Sequence, residues 1–81
     1  MKTAIFRFYE ELNDFLPEIK RRKTFEHNFM ERNSVKDMIE SFGIPHTEVD
    51  LILINGDSVG FDRLVNDNDR ISVYPEFESF D

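Results

Sequence analysis

Two short stretches near the start of the chain alternate apolar and polar residues. In Thr3 to Tyr9 (TAIFRFY), Ala4, Phe6 and Phe8 take one parity while Ile5, Arg7 and Tyr9 take the other. A period of two is the mark of a strand, and the uniformly apolar face is predicted to look into the core. Thr24 to Met30 (TFEHNFM) repeats the pattern, with Phe25, His27 and Phe29 opposed to Thr24, Glu26 and Asn28. Between them, Tyr9, Leu12, Phe15 and Leu16 recur at roughly helical spacing until Pro17 stops the run. This predicts a turn or short helical piece folded over the core edge, then an exposed basic loop. The two strands would form a hairpin with an unusually long connection.

The period then changes. Val35, Met38, Ile39 and Phe42 follow the i, i+3, i+4, i+7 rule, which predicts a helix over Ser34 to Phe42 with one apolar stripe. Ser34 is a good N-cap, Asp37 stands three residues on, Gly43 suits a left-handed C-terminal residue and Pro45 prevents continuation. Leu51, Ile52, Leu53 and Ile54 are apolar on both faces, the expectation for a central strand. Asn55-Gly56 is a strong hairpin-turn signal, after which Asp57 to Val59 returns as a very short strand. Phe61 and Leu64 are expected to plug the core beneath an irregular link. Asn66-Asp67-Asn68-Asp69 reads as a polar turn in which Asn68 adopts the left-handed conformation. Arg70 to Tyr74 is the last strand, with Ile71 and Val73 inward and Ser72 and Tyr74 outward. The order strand, strand, helix, strand, short strand, strand predicts an α+β class. One helix packs across a mixed four- to five-stranded sheet in the β-grasp arrangement, as a single domain over residues 1–81.

Composition narrows the chemistry. Nine Phe and two Tyr without Trp predict an aromatic-rich core. The chain has no Cys, which excludes disulfides and thiolate metal sites. No apolar run reaches the ~18 residues of a membrane span. The N-terminal MKTAIFRFYEEL meets Arg7 and two glutamates too early for a signal peptide, so the expected location is cytoplasmic, with no membrane partner. Seventeen acidic against ten basic residues give a net charge of −7, the wrong sign for a protein held by phosphates. Four of the basic residues, Lys20, Arg21, Arg22 and Lys23, adjoin one another as a possible anion or RNA contact, or simply as a solvated loop.

A nucleophile, a phosphate loop and a metal cluster are all missing. Ser34, Ser58 and Ser72 have no His and carboxylate near them in sequence, and Ser34 is already a cap. Gly43, Gly56 and Gly60 are accounted for by turns and caps. His27 reads as a packed histidine on an apolar stripe and His46 as loop. The Asn66–Asp69 run lacks the ligand spacing and terminal Glu of a calcium loop. Acids such as Glu10, Glu11, Asp67 and Asp69 are expected to be solvated. No enzyme activity, cofactor or metal is predicted. In the tail PEFESFD, Phe77 and Phe80 stand among Glu76, Glu78 and Asp81. They would either cover an open sheet edge or form an acidic-aromatic strip for a partner.

The phrases RFYEELNDFLP, GIPHTEVDLILING and VYPEFES, spread over nearly the whole chain, resemble one family: the ubiquitin-like domain found N-terminal to the Mut-seven-C ribonuclease domain, a PIN-like nuclease. The resemblance implies a β-grasp fold and a non-catalytic protein-interaction module that accompanies or positions such a ribonuclease, in cis or in trans, without direct nucleic-acid contact. The residues expected to meet the partner are Ile5, Tyr9, Tyr74, Phe77 and Phe80. More distantly, LILINGDSV and DNDRISVYP are similar to the ThiS and MoaD sulfur carriers. Those act through a C-terminal Gly-Gly, whereas this sequence reads Glu78-Ser79-Phe80-Asp81, which disfavours a carrier or modifier role. A third alternative, RNA binding as in the TGS relatives of the fold, rests on Lys20 to Lys23.

Overall fold

The alternating stretches do become strands. The structure, a computed structural model, describes residues 1–76. Five strands form one mixed sheet: β1 (Lys2–Phe8), β2 (Phe25–Phe29), β3 (Val49–Ile54), β4 (Asp57–Ser58) and β5 (Arg70–Pro75). Their spatial order is β2-β1-β5-β3-β4. β1 and β5 run parallel, and the other neighbours are antiparallel. Among the described residues one α-helix, α1 (Val35–Ser41), crosses between β2 and β3. This is the mixed sheet with one helix expected of a β-grasp.

The helix starts where the cap predicts. Ser34 Oγ accepts from the Asp37 N–H at 3.1 Å, relieving one of the free donors of the first turn. At the far end Gly43 has φ +90°, and its N–H reaches Glu40 O at 2.9 Å, so a residue without Cβ closes the helix. Val35, Met38 and Ile39 face the sheet and are buried. They meet Ala4, Phe6 and Phe8 of β1, Ile52 and Ile54 of β3, and Ile71 and Val73 of β5, all at most 3% exposed. Around Phe42, the rings of Phe6, Phe8 and Phe25 pack edge-on with centroids 5.1–5.6 Å away. His27 joins this cluster against Phe6, Phe29 and Phe42. Burial first, and then the Lys20 charge, lower its pKa, which favours the neutral ring.

The segment after β1 is a 3-10 helix over Glu10–Phe15. Leu12 and Leu16 turn in, while Phe15 stays 40% exposed. The loop hangs on buried Asn13. Its amide donates to Phe8 O at 3.1 Å and Glu10 O at 3.0 Å, and its Oδ1 accepts from Arg22 N–H at 2.7 Å.

β3 is an interior strand, as expected, while the middle place belongs to β5, which inserts between β1 and β3. Alternation assigns faces to a strand but not neighbours, and a penultimate strand flanked by short β4 looks equally apolar. Leu64 is not the core plug: it is 43% exposed and Val65 is fully buried instead. Leu64 bridges antiparallel to Ser34, while Val35 N–H donates to Arg63 O and Val65 N–H to Asn33 O, which sets the parity one residue on. Phe61 is partly buried against the core.

Asp69 is not solvated but 5% exposed. Its carboxylate accepts from Asn66 N–H at 2.7 Å and Asn55 Nδ2 at 2.9 Å, and pairs with Arg63 at 3.4 Å. Asn55 and Asn68 both hold positive φ, 53° and 70°, as the two turn signals require. Finally, His46 is more than loop. It begins a 3-10 turn (His46–Glu48), and its Nδ1 lies 2.7 Å from Glu40 Oε2. The hydrogen bonds from the His46 ring and backbone lower the Glu40 pKa.

Candidate functional site

The same alternation that fills the core leaves a second row of side chains on the sheet's other face. Because β1 turns Ala4, Phe6 and Phe8 to the helix, it turns Ile5 and Arg7 away from it. β5 likewise presents Arg70, Ser72 and Tyr74, and β3 presents Leu51 and Leu53. Register brings these into rows: Ile5 opposite Arg70, Arg7 opposite Ser72 opposite Leu53, and Tyr74 opposite Leu51. Tyr9 N–H donates to Val73 O at 3.1 Å, extending the β1–β5 ladder by one residue.

The result is an amphipathic face with an aromatic end. Tyr9 and Tyr74 stack with ring centroids 4.4 Å apart and 8° between planes. The Arg7 guanidinium lies 4.9 Å from the Tyr9 ring centroid. Burial, followed by the hydrogen bond and charge of Tyr9, raises the Tyr74 pKa, while a Ser72 hydrogen bond opposes the rise. Ile5, Arg7, Tyr9, Leu51, Leu53, Ser72 and Tyr74 are all half-buried. Among the described residues, no helix covers them. Chemically, such a face can bury apolar area and direct a few polar groups at a bound surface. The described residues hold no group of three His, Asp or Glu placed to bind a metal ion.

Ile5, Tyr9 and Tyr74 are therefore brought together on one face. Phe77 and Phe80 lie outside the described residues. Leu51, Leu53, Arg7 and Arg70 belong to the face but are absent from the sequence-derived candidates. Parity was the available signal, since each is one residue out of step with a core position. The basic run is dispersed rather than gathered. Lys20 Nζ sits 5.1 Å and 5.4 Å from the Phe25 and Phe42 ring centroids. Arg21 Nε donates to Leu16 O at 2.8 Å, tying the preceding loop. Arg22 holds positive φ with its N–H on Asn13, and Lys23 is exposed. Two of the four side chains thus serve the chain's own packing, which leaves little shared surface for an anion.

Sequence and structure comparisons agree on the class. The model of the Mut7-C ubiquitin family matches residues 1–81. No curated protein matches the chain in sequence. Among solved structures, the chain is similar to small archaeal modifier protein 1 of Haloferax volcanii, with a TM-score of 0.69 and 12% identity over 95% of this chain and 100% of that one. It is similar to a putative molybdopterin converting factor subunit 1 from Pyrococcus furiosus, with a TM-score of 0.69 and 18% identity over 95% of this chain and 100% of that one. At those identities the likeness establishes the ubiquitin-like fold.

Proposed function

We propose, from the premise that this chain belongs to the Mut7-C ubiquitin family, that it is a non-catalytic protein-interaction module that accompanies or positions a Mut-seven-C-type ribonuclease. The observation that supports this is the open face of the sheet, where Tyr9, Tyr74, Leu51 and Leu53 adjoin one another and Ile5 lies across the Arg7–Ser72 row from them, opposite the core. A contiguous apolar and aromatic patch rimmed by polar groups is what a protein interface uses, and its burial is a driving force still available. The reading includes a cytoplasmic location, with which an acidic composition of 33% charged residues is compatible. No helix among the described residues is long and apolar enough to cross a membrane.

Calorimetric titration with a Mut-seven-C ribonuclease domain from the same organism tests the proposal. Saturable binding at micromolar affinity or tighter is expected, weakened by Tyr74→Ala. Absence of heat together with absence of co-elution at high concentration would overturn it.

A further inference from the structure

Between β1 and β5 the open face is indented by a cavity of about 150 Å³, lined by Ile5, Arg7, Tyr9, Thr24, Arg70 and Ser72 among others. Two of those residues are arginines on neighbouring strands. Arg70 is opposite Ile5 in register and Arg7 is opposite Ser72, so the guanidinium-bearing positions are diagonal neighbours. Arg7 Nε is buried and has no hydrogen-bond partner. A buried N–H left without an acceptor is costly, which marks a place where an acceptor is wanted.

The Arg7 side chain is held in place, and the Arg70 backbone is fixed. Arg7 lies over the ring of Tyr9, which Tyr74 fixes by stacking. Arg70 is anchored through its backbone, its N–H donating to Asn55 Oδ1 at 2.9 Å and its carbonyl accepting from Asn55 N–H at 2.8 Å. No carboxylate among the described residues forms an ion pair with either one. Glu26, opposite Ile5 on β2, does not, and the ion pairs among the described residues are Arg63–Asp69 and His46–Glu40. In a chain of net charge −7, this is a positively charged notch set within an apolar face.

We infer that the Arg7–Arg70 notch is a carboxylate-binding site, which receives an aspartate or glutamate of an acidic partner segment while its apolar neighbours rest on Leu51, Leu53 and Tyr74. The inference rests on the reading of this face as a protein interface and adds the chemistry of what it recognises. A guanidinium offers a planar fork of N–H donors that matches a carboxylate. Nucleic acid fits less well. A phosphate backbone needs several cations in line, and two line this notch in a chain of net charge −7.

The test follows the arginine Nε–Hε resonances of the intact chain by NMR. The probes are a blocked leucyl-aspartyl-leucine peptide and its asparaginyl counterpart. The aspartyl peptide should move the Arg7 and Arg70 Nε–Hε signals and the Ser72 amide saturably, with the asparaginyl peptide about tenfold weaker or more. Arg7→Lys, which keeps the charge and loses the fork, should weaken the aspartyl peptide by about tenfold. Arg70→Gln supplies a second variant in case Arg7 is needed for folding. Equal response to both peptides would overturn the inference, as would shifts reproduced by sodium chloride at the same ionic strength. So would tighter binding of an oligouridylate through the same resonances. If the ribonuclease domain binds while the aspartyl peptide leaves Arg7 unmoved, the site falls and the module reading stands. If the peptide binds and the ribonuclease domain does not, the reverse holds.

Discussion

The two faces of this sheet are built from interleaved residues of the same strands, and they have different fates. On the helix side, Phe6, Phe8, Ile52, Ile54, Ile71 and Val73 are shut away from water. On the other side, Ile5, Leu51, Leu53 and Tyr74 are apolar or aromatic too, yet only half-buried. Hydrophobicity alone does not separate them. Among the described residues, the difference is whether an element lies over the row, and the α-helix goes to one side. Stability therefore concentrates on one face, and the other keeps apolar area that no helix among the described residues covers.

Three substitutions press on this contrast. Phe6→Ala removes a ring that packs against Phe8, Phe25 and Phe42 at a fully buried site. It should cost about 3–5 kcal/mol in denaturant unfolding. A loss near zero would mean that the covered face is not the stabilising one. Asp69→Ala probes the rim of the sheet, where the buried carboxylate satisfies Asn66 N–H, Asn55 Nδ2 and Arg63. Deprived of that acceptor, these donors should cost about 1–3 kcal/mol, read from the same unfolding curves. Leu53→Ala lies one residue from buried Ile54 but on the open side. Its unfolding free energy should change by about 1 kcal/mol or less while affinity for the ribonuclease domain falls. A large stability loss with unchanged affinity would assign Leu53 to the core and undo the distinction.

Much of this was legible in the residues, for reasons that differ by element. The helix was readable because its signals agree: Ser34 as cap, the Val35–Phe42 stripe, and Gly43 at φ +90°. Asn55-Gly56 and Asn68 were readable because few residues tolerate positive φ. The place of β5 at the centre was not, since strand neighbours are set by which ladders close, over separations that local pattern does not span. The exchange of Leu64 for Val65 came from a single backbone bridge to Ser34, and one residue of slip reverses every face. Asp69 and Asn13 were hidden because polar turn residues look alike in sequence whether they meet water or buried donors. Of the open face, Ile5, Tyr9 and Tyr74 could be named from parity and the family resemblance. Arg7 and Arg70 share that parity, but the residues alone do not show that no carboxylate among the described residues pairs with them.

The parallel pairing of β1 with β5 has a mechanical consequence. Lys2 opens the first strand and Pro75 closes the last, so the two points lie at opposite ends of adjacent, co-directed strands. A pull between them runs along the strands and loads the register pairs from Ile5–Arg70 to Phe8–Val73 together, in shear. The β3–β4 hairpin, drawn apart at its open end beyond the Leu53–Ser58 pair, would instead give way one pair at a time. A tether attached at those two points would therefore meet the sheet along its more resistant axis.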